Sequence, residues 1–109
     1  MILEFNLLLS DQGNIELQKV PTDDVLDKLS EQIGNRMIEL GIELGLSVSS
    51  IEETLSNHYK DMFSQLRDIL RKWKTTSTVE PTIYRLMVAL QRVESGGLSF
   101  LKEQYKLQE

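Results

Sequence analysis

From residue 21 onward, the chain repeats its apolar residues at intervals of three and four, which is the spacing of one face of an α-helix. Six such apolar stripes follow one another, and a short polar or glycine-containing joint separates each from the next. A helix with one apolar stripe has to bury that stripe against other elements. The pattern therefore predicts an all-α fold, in which six helices pack as a compact antiparallel bundle.

Residues that favour helix ends predict where the first three helices begin and stop. Thr22 is the expected N-cap of the first helix, which Gly34 would end, and Asn35 is the expected N-cap of the second. Gly45 suits the left-handed conformation that follows a helix. Ser47 is the expected N-cap of the third helix, which frays after about ten residues.

Similar signals divide the second half of the chain. The fourth helix is predicted to begin near Asp61 and to end before a polar loop at Thr75 to Thr78. Pro81 suits the first turn of the fifth helix, because proline lacks an N–H that this turn would leave unpaired. Gly96 and Gly97 are expected to separate the fifth helix from a short sixth one.

The stripes also predict the core. The residues expected to point inward are Val25, Leu26, Leu29, Ile33, Met37, Leu40, Leu44, Ile51, Leu55, Phe63, Leu66, Leu70, Trp73, Ile83, Leu86, Leu90, Val93, Leu98, Leu101 and Tyr105. Trp73 is tempting as an aromatic that binds a ligand. Its place on the inward stripe of the fourth helix favours a core residue instead.

The first twenty residues have a different period from the rest. Apolar and polar residues alternate from Leu3 to Leu9 and again at Ile15 and Leu17, around a polar turn that contains glycine. Alternation with a period of two predicts a β-hairpin, with a loosely ordered arm as the alternative. This interpretation leaves residues 21–109 for the helical domain.

The whole chain excludes several classes of function. It has no cysteine, so disulfides and thiolate metal sites are excluded and a reducing compartment, the cytoplasm, is expected. The opening apolar run is too short to span a membrane and lacks the basic start of a signal peptide. A net charge of −5 argues against nonspecific binding to nucleic acid, which requires a basic surface.

Residues that carry catalysis or bind cofactors do not occur in recognisable patterns. The chain has no glycine-rich phosphate loop, and the single histidine, His58, has no partners at metal-ligand spacing. We therefore predict no catalytic activity, no cofactor, no metal and no small-molecule substrate. His58 is interpreted as a surface residue.

Charged residues group by sign on different predicted helices. The acidic group is Glu39 and Glu43 on the second helix with Glu52 and Glu53 at the start of the third, and it is expected to form one acidic face. The basic group is Arg67, Arg71 and Lys74, which lie four and three residues apart on the fourth helix. They are expected on the side opposite its core. Both groups are either ordinary solvated faces or two patches that suit head-to-tail association between copies.

Five short segments resemble the death domain family, and the likeness covers about residues 22 to 105. They are Leu29-Ser30-Glu31-Gln32-Ile33-Gly34, Leu40-Gly41-Ile42-Glu43-Leu44-Gly45-Leu46, Ile51, Leu70-Arg71-Lys72-Trp73 and Leu86-Met87-Val88-Ala89-Leu90. The family commonly has tryptophan where Met37 stands and often alanine where Gly41 stands. Glycine inside a helix costs about 1 kcal/mol against alanine.

The resemblance implies a six-helix death fold that binds other death domains, as copies of itself or as different partners. It implies an adaptor or receptor tail in apoptotic or innate-immune-type signalling. One contact type of the family would set Lys72 and Lys74 against Glu94 and Ser95 of another copy. An extended segment before the helices also resembles netrin-receptor tails and ankyrins, where a β-module precedes the death domain.

Two other interpretations stay open from the sequence. The chain could be a structural death-fold domain of a scaffold or cytoskeletal protein. It could also be a helical domain that binds nucleic acid, since residues 35–55 have the outline of a helix-turn-helix. The expected recognition helix of such a domain carries Glu52 and Glu53 and no arginine, and phosphate would repel it.

Overall fold

The computed structural model describes residues 15–106, and within that range the chain forms a six-helix bundle. The α-helices are α1 (Asp23–Ser30), α2 (Met37–Glu43), α3 (Val48–Asn57), α4 (Met62–Thr76), α5 (Ile83–Val93) and α6 (Leu98–Gln104). A short 3-10 helix, Ile15–Gln18, precedes them. The predicted all-α fold with six helices is confirmed. None of the helices in the described range is both long and apolar enough to cross a membrane.

The predicted N-caps Thr22 and Ser47 and the predicted helix start near Asp61 are confirmed by hydrogen bonds. The side-chain oxygens of Thr22, Ser47 and Asp61 accept from the backbone N–H groups of Val25, Ser50 and Phe63 at 3.2, 3.1 and 3.0 Å. Each cap satisfies an N–H that the first turn of a helix leaves without an intrahelical partner. The helix starts in the sequence are therefore set by local chemistry.

The joint between α1 and α2 differs from the prediction. The helix α1 ends at Ser30, four residues before Gly34, and α2 begins after Arg36 and not after Asn35. Arg36 has a left-handed backbone with φ of 59° and provides no side-chain cap. The joint is held by tertiary contacts instead, because the N–H of Gly34 donates to the carbonyl of Ser95 at 3.0 Å.

Two further boundaries lie elsewhere than predicted. Pro81 is not in the first turn of α5, because Thr82 caps that helix through a 3.2 Å hydrogen bond from the N–H of Arg85. The helix α4 continues through Thr76, two residues into the predicted loop. The hydroxyl of Thr76 donates to the carbonyl of Lys72 at 2.6 Å and so satisfies a carbonyl of the last turn.

The core follows the predicted stripes with one clear exception. Trp73 is only 3% exposed and lies in a single apolar cluster to which all six helices except α3 contribute, while Ile51 of α3 is also buried. Phe63 was predicted to be buried and is 44% exposed. It occupies the first turn of α4, next to the α3–α4 joint.

The predicted hairpin is wrong for the residues that the structure describes. Ile15–Gln18 is a 3-10 helix and not a strand, and the N–H of Lys19 donates to the carbonyl of Glu16 at 3.2 Å. Leu17 is fully buried while Ile15 is exposed, so the two residues do not share one face as they would in a strand. The rest of the hairpin prediction falls on residues 1–14, outside the described range. The division into 1–20 and 21–109 stays a prediction.

Candidate protein-interaction surface

The basic residues of α4 are balanced by carboxylates of α1. The Nη2 atom of Arg71 lies 2.9 and 2.8 Å from the two carboxylate oxygens of Asp27, and the Nζ atom of Lys74 lies 3.0 Å from Asp23. The hydrogen bond from Lys74 holds the pKa of the Asp23 carboxyl below its ordinary value. These residues therefore lie along the α1–α4 contact, and their charges are already paired within the chain.

Lys72 points to the other flank of α4. Its Nζ atom lies 2.9 Å from the carbonyl oxygen of Ser50, 3.1 Å from Glu53 and 3.5 Å from Asp68. Asp68 also accepts a 2.5 Å hydrogen bond from the hydroxyl of buried Thr54. Because Lys72 binds α3 while Lys74 binds α1, the two lysines do not present one common surface.

The four carboxylates predicted to form one acidic face divide into two groups. Glu43 pairs with Arg92 of α5 at 3.1 Å, and Glu53 pairs with Lys72 of α4. Glu39 and Glu52 are exposed and have no ion pair within residues 15–106. The structure therefore leaves Glu39 and Glu52 as the acidic residues on α2 and α3 whose charge no neighbour balances.

The joint between α5 and α6 exposes one of its two predicted contact residues. Glu94 is exposed and takes a left-handed backbone with φ of 59° at the end of α5. Ser95 is 1% exposed, and its hydroxyl has no hydrogen-bond partner. The prediction that Ser95 faces another copy is therefore wrong. The carbonyl oxygen of Ser95 accepts a hydrogen bond from the N–H of Gly34, which holds Ser95 against the α1–α2 joint.

Arg67 lies on the first half of α4, away from the pairs with α1. Its Nη2 atom donates to the hydroxyl of Ser64 at 3.1 Å, and that hydroxyl donates to Asp61 at 2.6 Å. The hydrogen bond from Ser64 lowers the pKa of the Asp61 carboxyl, which also caps α4. Of the predicted basic residues, Arg67 is the one that has no carboxylate of its own in the described part of the chain.

Six exposed apolar residues fall in two segments of the chain, and the sequence prediction missed both groups. We call Ile38 and Ile42 of α2 with Val48 of α3 the isoleucine face, and Tyr59, Met62 and Phe63 the aromatic joint. Ile38 and Ile42 lie four residues apart but off the inward stripe of α2. Their spacing was a usable signal that the sequence prediction did not take up. Phe63 had been assigned to the core.

A bundle of six short α-helices with these joints is the architecture of the death fold. The family model for the death domain matches residues 23–100, well over half of the 109 residues. The chain therefore belongs to the death domain family. No curated protein matches the chain.

Membership of this family makes the chain a protein–protein interaction module of the kind that operates in signalling. Death domains bind other death-fold domains through their helical surfaces, so the features that matter are exposed charges and exposed apolar side chains. Among the predicted contact residues, Glu39, Glu52 and Glu94 are exposed, and the exposed apolar residues include the isoleucine face and the aromatic joint.

Proposed function

We propose that this chain is the assembly module of a signalling adaptor or receptor tail in the cytoplasm. It recruits other death domains, which are copies of itself or different partners, in apoptotic or innate-immune-type signalling. The observation that carries the proposal is the match to the death domain family over residues 23–100 of a six-helix bundle.

Two acidic residues are the strongest candidates for partner contacts. Glu39 and Glu52 are exposed on neighbouring helices and carry charge that no cation in the described range balances. A basic surface on a partner would gain attraction from both without breaking an internal pair. Glu43 and Glu53 would contribute after releasing Arg92 and Lys72.

The basic residues of α4 would contribute by exchanging partners. Arg71 and Lys74 are held by Asp27 and Asp23, and an incoming carboxylate would have to replace these. Such an exchange costs little, because exposed ion pairs typically contribute only about 0.2–1 kcal/mol. Arg67 requires no exchange. Glu94 remains a proposed contact for either Lys72 or Lys74 of another copy, because these lysines lie on different flanks of α4. Buried Ser95 does not remain one.

The proposed mechanism is concentration. Each contact between death domains is weak, but a domain that binds several neighbours holds the attached effector regions close together. A second contact within an assembly behaves as an intramolecular event with a high effective concentration, which strengthens binding without new chemistry. In this mechanism, clustering of the chain is itself the event that transmits the signal to the attached effector regions.

Binding of the purified full chain to a panel of purified death domains tests the proposal. We expect at least one death domain, or the chain itself, to bind, and the affinity to fall as salt screens the exposed charges. Replacing Glu39 and Glu52 together by lysine should weaken binding at least about tenfold, because about 1.4 kcal/mol already changes an affinity tenfold.

Glu31 and Glu80 provide the matched control. Both are exposed glutamates without an ion pair in the described range, and they lie outside α2 and α3. The double replacement of Glu31 and Glu80 by lysine makes the same change in net charge and should leave the affinity within about twofold. Absence of binding to every death domain of the panel and to the chain itself would refute the proposed function.

A further inference from the structure

We propose that residues 15–20 form a strap that docks on the six-helix bundle through Leu17 and opens as a separate unit while the bundle stays folded. These residues lie before the range 23–100 that matches the death domain family, so membership of the family does not account for the strap. The proposal places residues 15–20 inside the helical domain, whose start the sequence predicted at residue 21. It concerns a moving part of the domain and does not depend on the partner that the domain binds.

Leu17 anchors the strap in the core of the bundle. Its side chain is fully buried and belongs to the main apolar cluster, although the 3-10 helix that carries it, Ile15–Gln18, has only 4 residues. This short helix packs against α5. Burial removes the apolar surface of the leucine from water, which favours the docked position of the strap.

The backbone of the strap completes the first turn of α5. The carbonyl oxygen of Lys19 accepts a hydrogen bond from the N–H of Ile83, the first residue of α5, at 2.9 Å. The hydroxyl of Thr82 accepts from the N–H of Arg85 in the same turn. N–H groups in the first turn of a helix have no partner within that helix. The start of α5 is therefore completed by its own cap and by the strap together.

The strap also lies near α1 and α6. Pro21 directly after it is buried, and Thr22 caps α1. Burial raises the pKa of Tyr105, the residue after α6, and the nearby charge of Glu16 raises that pKa further. Docking of the strap therefore affects the surroundings of three helices, and opening connects the chain before residue 15 to the state of α5.

The strap has far fewer buried residues than the helix against which it packs. Five of its six residues are exposed and only Leu17 is buried, whereas six of the eleven residues of α5 are buried. Segments with few buried apolar contacts open at a lower cost in free energy than core helices do. The helix α1 has its own cap and its own buried stripe, so it keeps these contacts when the strap opens.

Amide hydrogen exchange of the full wild-type chain, measured by nuclear magnetic resonance, tests the proposal. The N–H of Ile83 bonds to the strap, whereas the N–H of Leu86 bonds to the carbonyl of Thr82 within α5. After correction for intrinsic rates, we expect Ile83 to exchange at least about tenfold faster than Leu86. Low concentrations of urea should accelerate exchange at Leu86 and leave Ile83 almost unchanged, because opening of the strap exposes little surface.

Leu17→Asp should undock the strap, because a carboxylate cannot be buried in an apolar core without a partner. We expect circular dichroism and emission from buried Trp73 to show a folded bundle. The amide of Ile83 should exchange at least about tenfold faster than in the wild type, while that of Leu86 stays protected. Ile15→Asp is the matched control at a side chain that is 76% exposed. It should leave exchange at Ile83 within about twofold of the wild type.

Three results would overturn the proposal. Loss of the helical signal in Leu17→Asp would show that the bundle does not fold without the docked strap. In the wild type, equal exchange at Ile83 and Leu86 with the same dependence on urea would mean that the strap and α5 open together. Exchange at Ile83 that is the same in Leu17→Asp and in the wild type would mean that the strap does not protect the start of α5.

Discussion

Two regions of the molecule are rich in charged side chains, namely the α1–α4 contact and the outer surface of α2 and α3. They differ in whether those charges are paired within the chain. At the first contact, Arg71 and Lys74 are paired with Asp27 and Asp23 of the same chain. On α2 and α3, Glu39 and Glu52 are exposed and form no ion pair within residues 15–106, and α2 also carries the exposed Ile38 and Ile42.

The difference separates charges that are paired within the fold from charges that no neighbour in the described residues balances. Pairs between α1 and α4 link two helices of the bundle, whereas unpaired acids next to exposed apolar side chains contribute nothing to internal packing. Runs of like charge in a sequence do not reveal this distinction, because the pairing partner lies on another helix. Three experiments on stability test or sharpen the comparison.

The largest effect is expected from the core side of α4. Trp73→Ala should lower the free energy of unfolding by about 3–5 kcal/mol, because it leaves a large cavity at a residue that is almost fully buried. That loss is a large fraction of the total stability of about 5–15 kcal/mol that is usual for a domain. Urea unfolding followed by circular dichroism measures it.

Phe63→Ala is the matched change at the exposed end of the same helix. We expect a loss of about 1 kcal/mol, since a half-exposed aromatic leaves no closed cavity. Equal losses for the two variants would show that Phe63 is packed as a core residue. The aromatic joint would then not be available to a partner.

A smaller effect tests the close approach of α2 and α3. A Cβ atom added at Gly41 would lie 2.9 Å from Cδ1 of Ile51, so Gly41→Ala gains about 1 kcal/mol of helix propensity but overpacks the contact at a cost of about 1–3 kcal/mol. We expect a net loss of about 1 kcal/mol, measured by urea unfolding. In the background of Ile51→Val, which lacks Cδ1 but keeps the Cγ1 atom that would lie 3.2 Å away, the same change should destabilise the protein less.

Gly34→Ala is the control for this coupling, because a Cβ atom at Gly34 would meet nothing within 4 Å. Its effect should be the same with Ile51 or with valine at that position. If Gly41→Ala also had the same effect in both backgrounds, α2 and α3 would not be in tight contact there.

The smallest effect concerns the ion pair between Asp23 and Lys74. The folded chain holds the pKa of Asp23 below its unfolded value of about 3.9, because Lys74 donates a hydrogen bond to the carboxylate. The resulting stability is complete above the unfolded pKa and disappears as the pH falls through the lower folded pKa. Carboxyl chemical shifts measured by nuclear magnetic resonance over this pH range report the pKa directly.

Lys74→Met should raise the pKa of Asp23 toward its unfolded value, and high salt should do so in part. Lys28→Met is the control, because Lys28 pairs with Asp24 and not with Asp23. An Asp23 pKa that did not change on loss of Lys74 would mean that the pair does not persist in solution. The basic residues of α4 would then be as free for a partner as the acids of α2 and α3.

Much of the fold could be predicted from sequence because its causes act over a few residues. Thr22, Ser47 and Asp61 each cap a helix by bonding an N–H within three positions, so the cap is visible in the sequence itself. The apolar stripe that buries Trp73 repeats at helical spacing for the same reason. The segment at Ile15–Gln18 was predicted wrongly, since two alternating apolar residues do not distinguish a strand from a single tight turn.

The sequence by itself determined the six helices, the N-caps Thr22 and Ser47 and the apolar stripes, since all of these depend on neighbours three or four residues away. It also carried the likeness to death domains, which depends on the order of short segments along the chain. Only the tertiary structure decided which charged side chains form ion pairs within the protein. Asp27 and Arg71 lie 44 residues apart in the chain and 2.8 Å apart in the fold. It also decided that Phe63 is exposed and Ser95 buried, because burial depends on where the ends of other helices and joints lie.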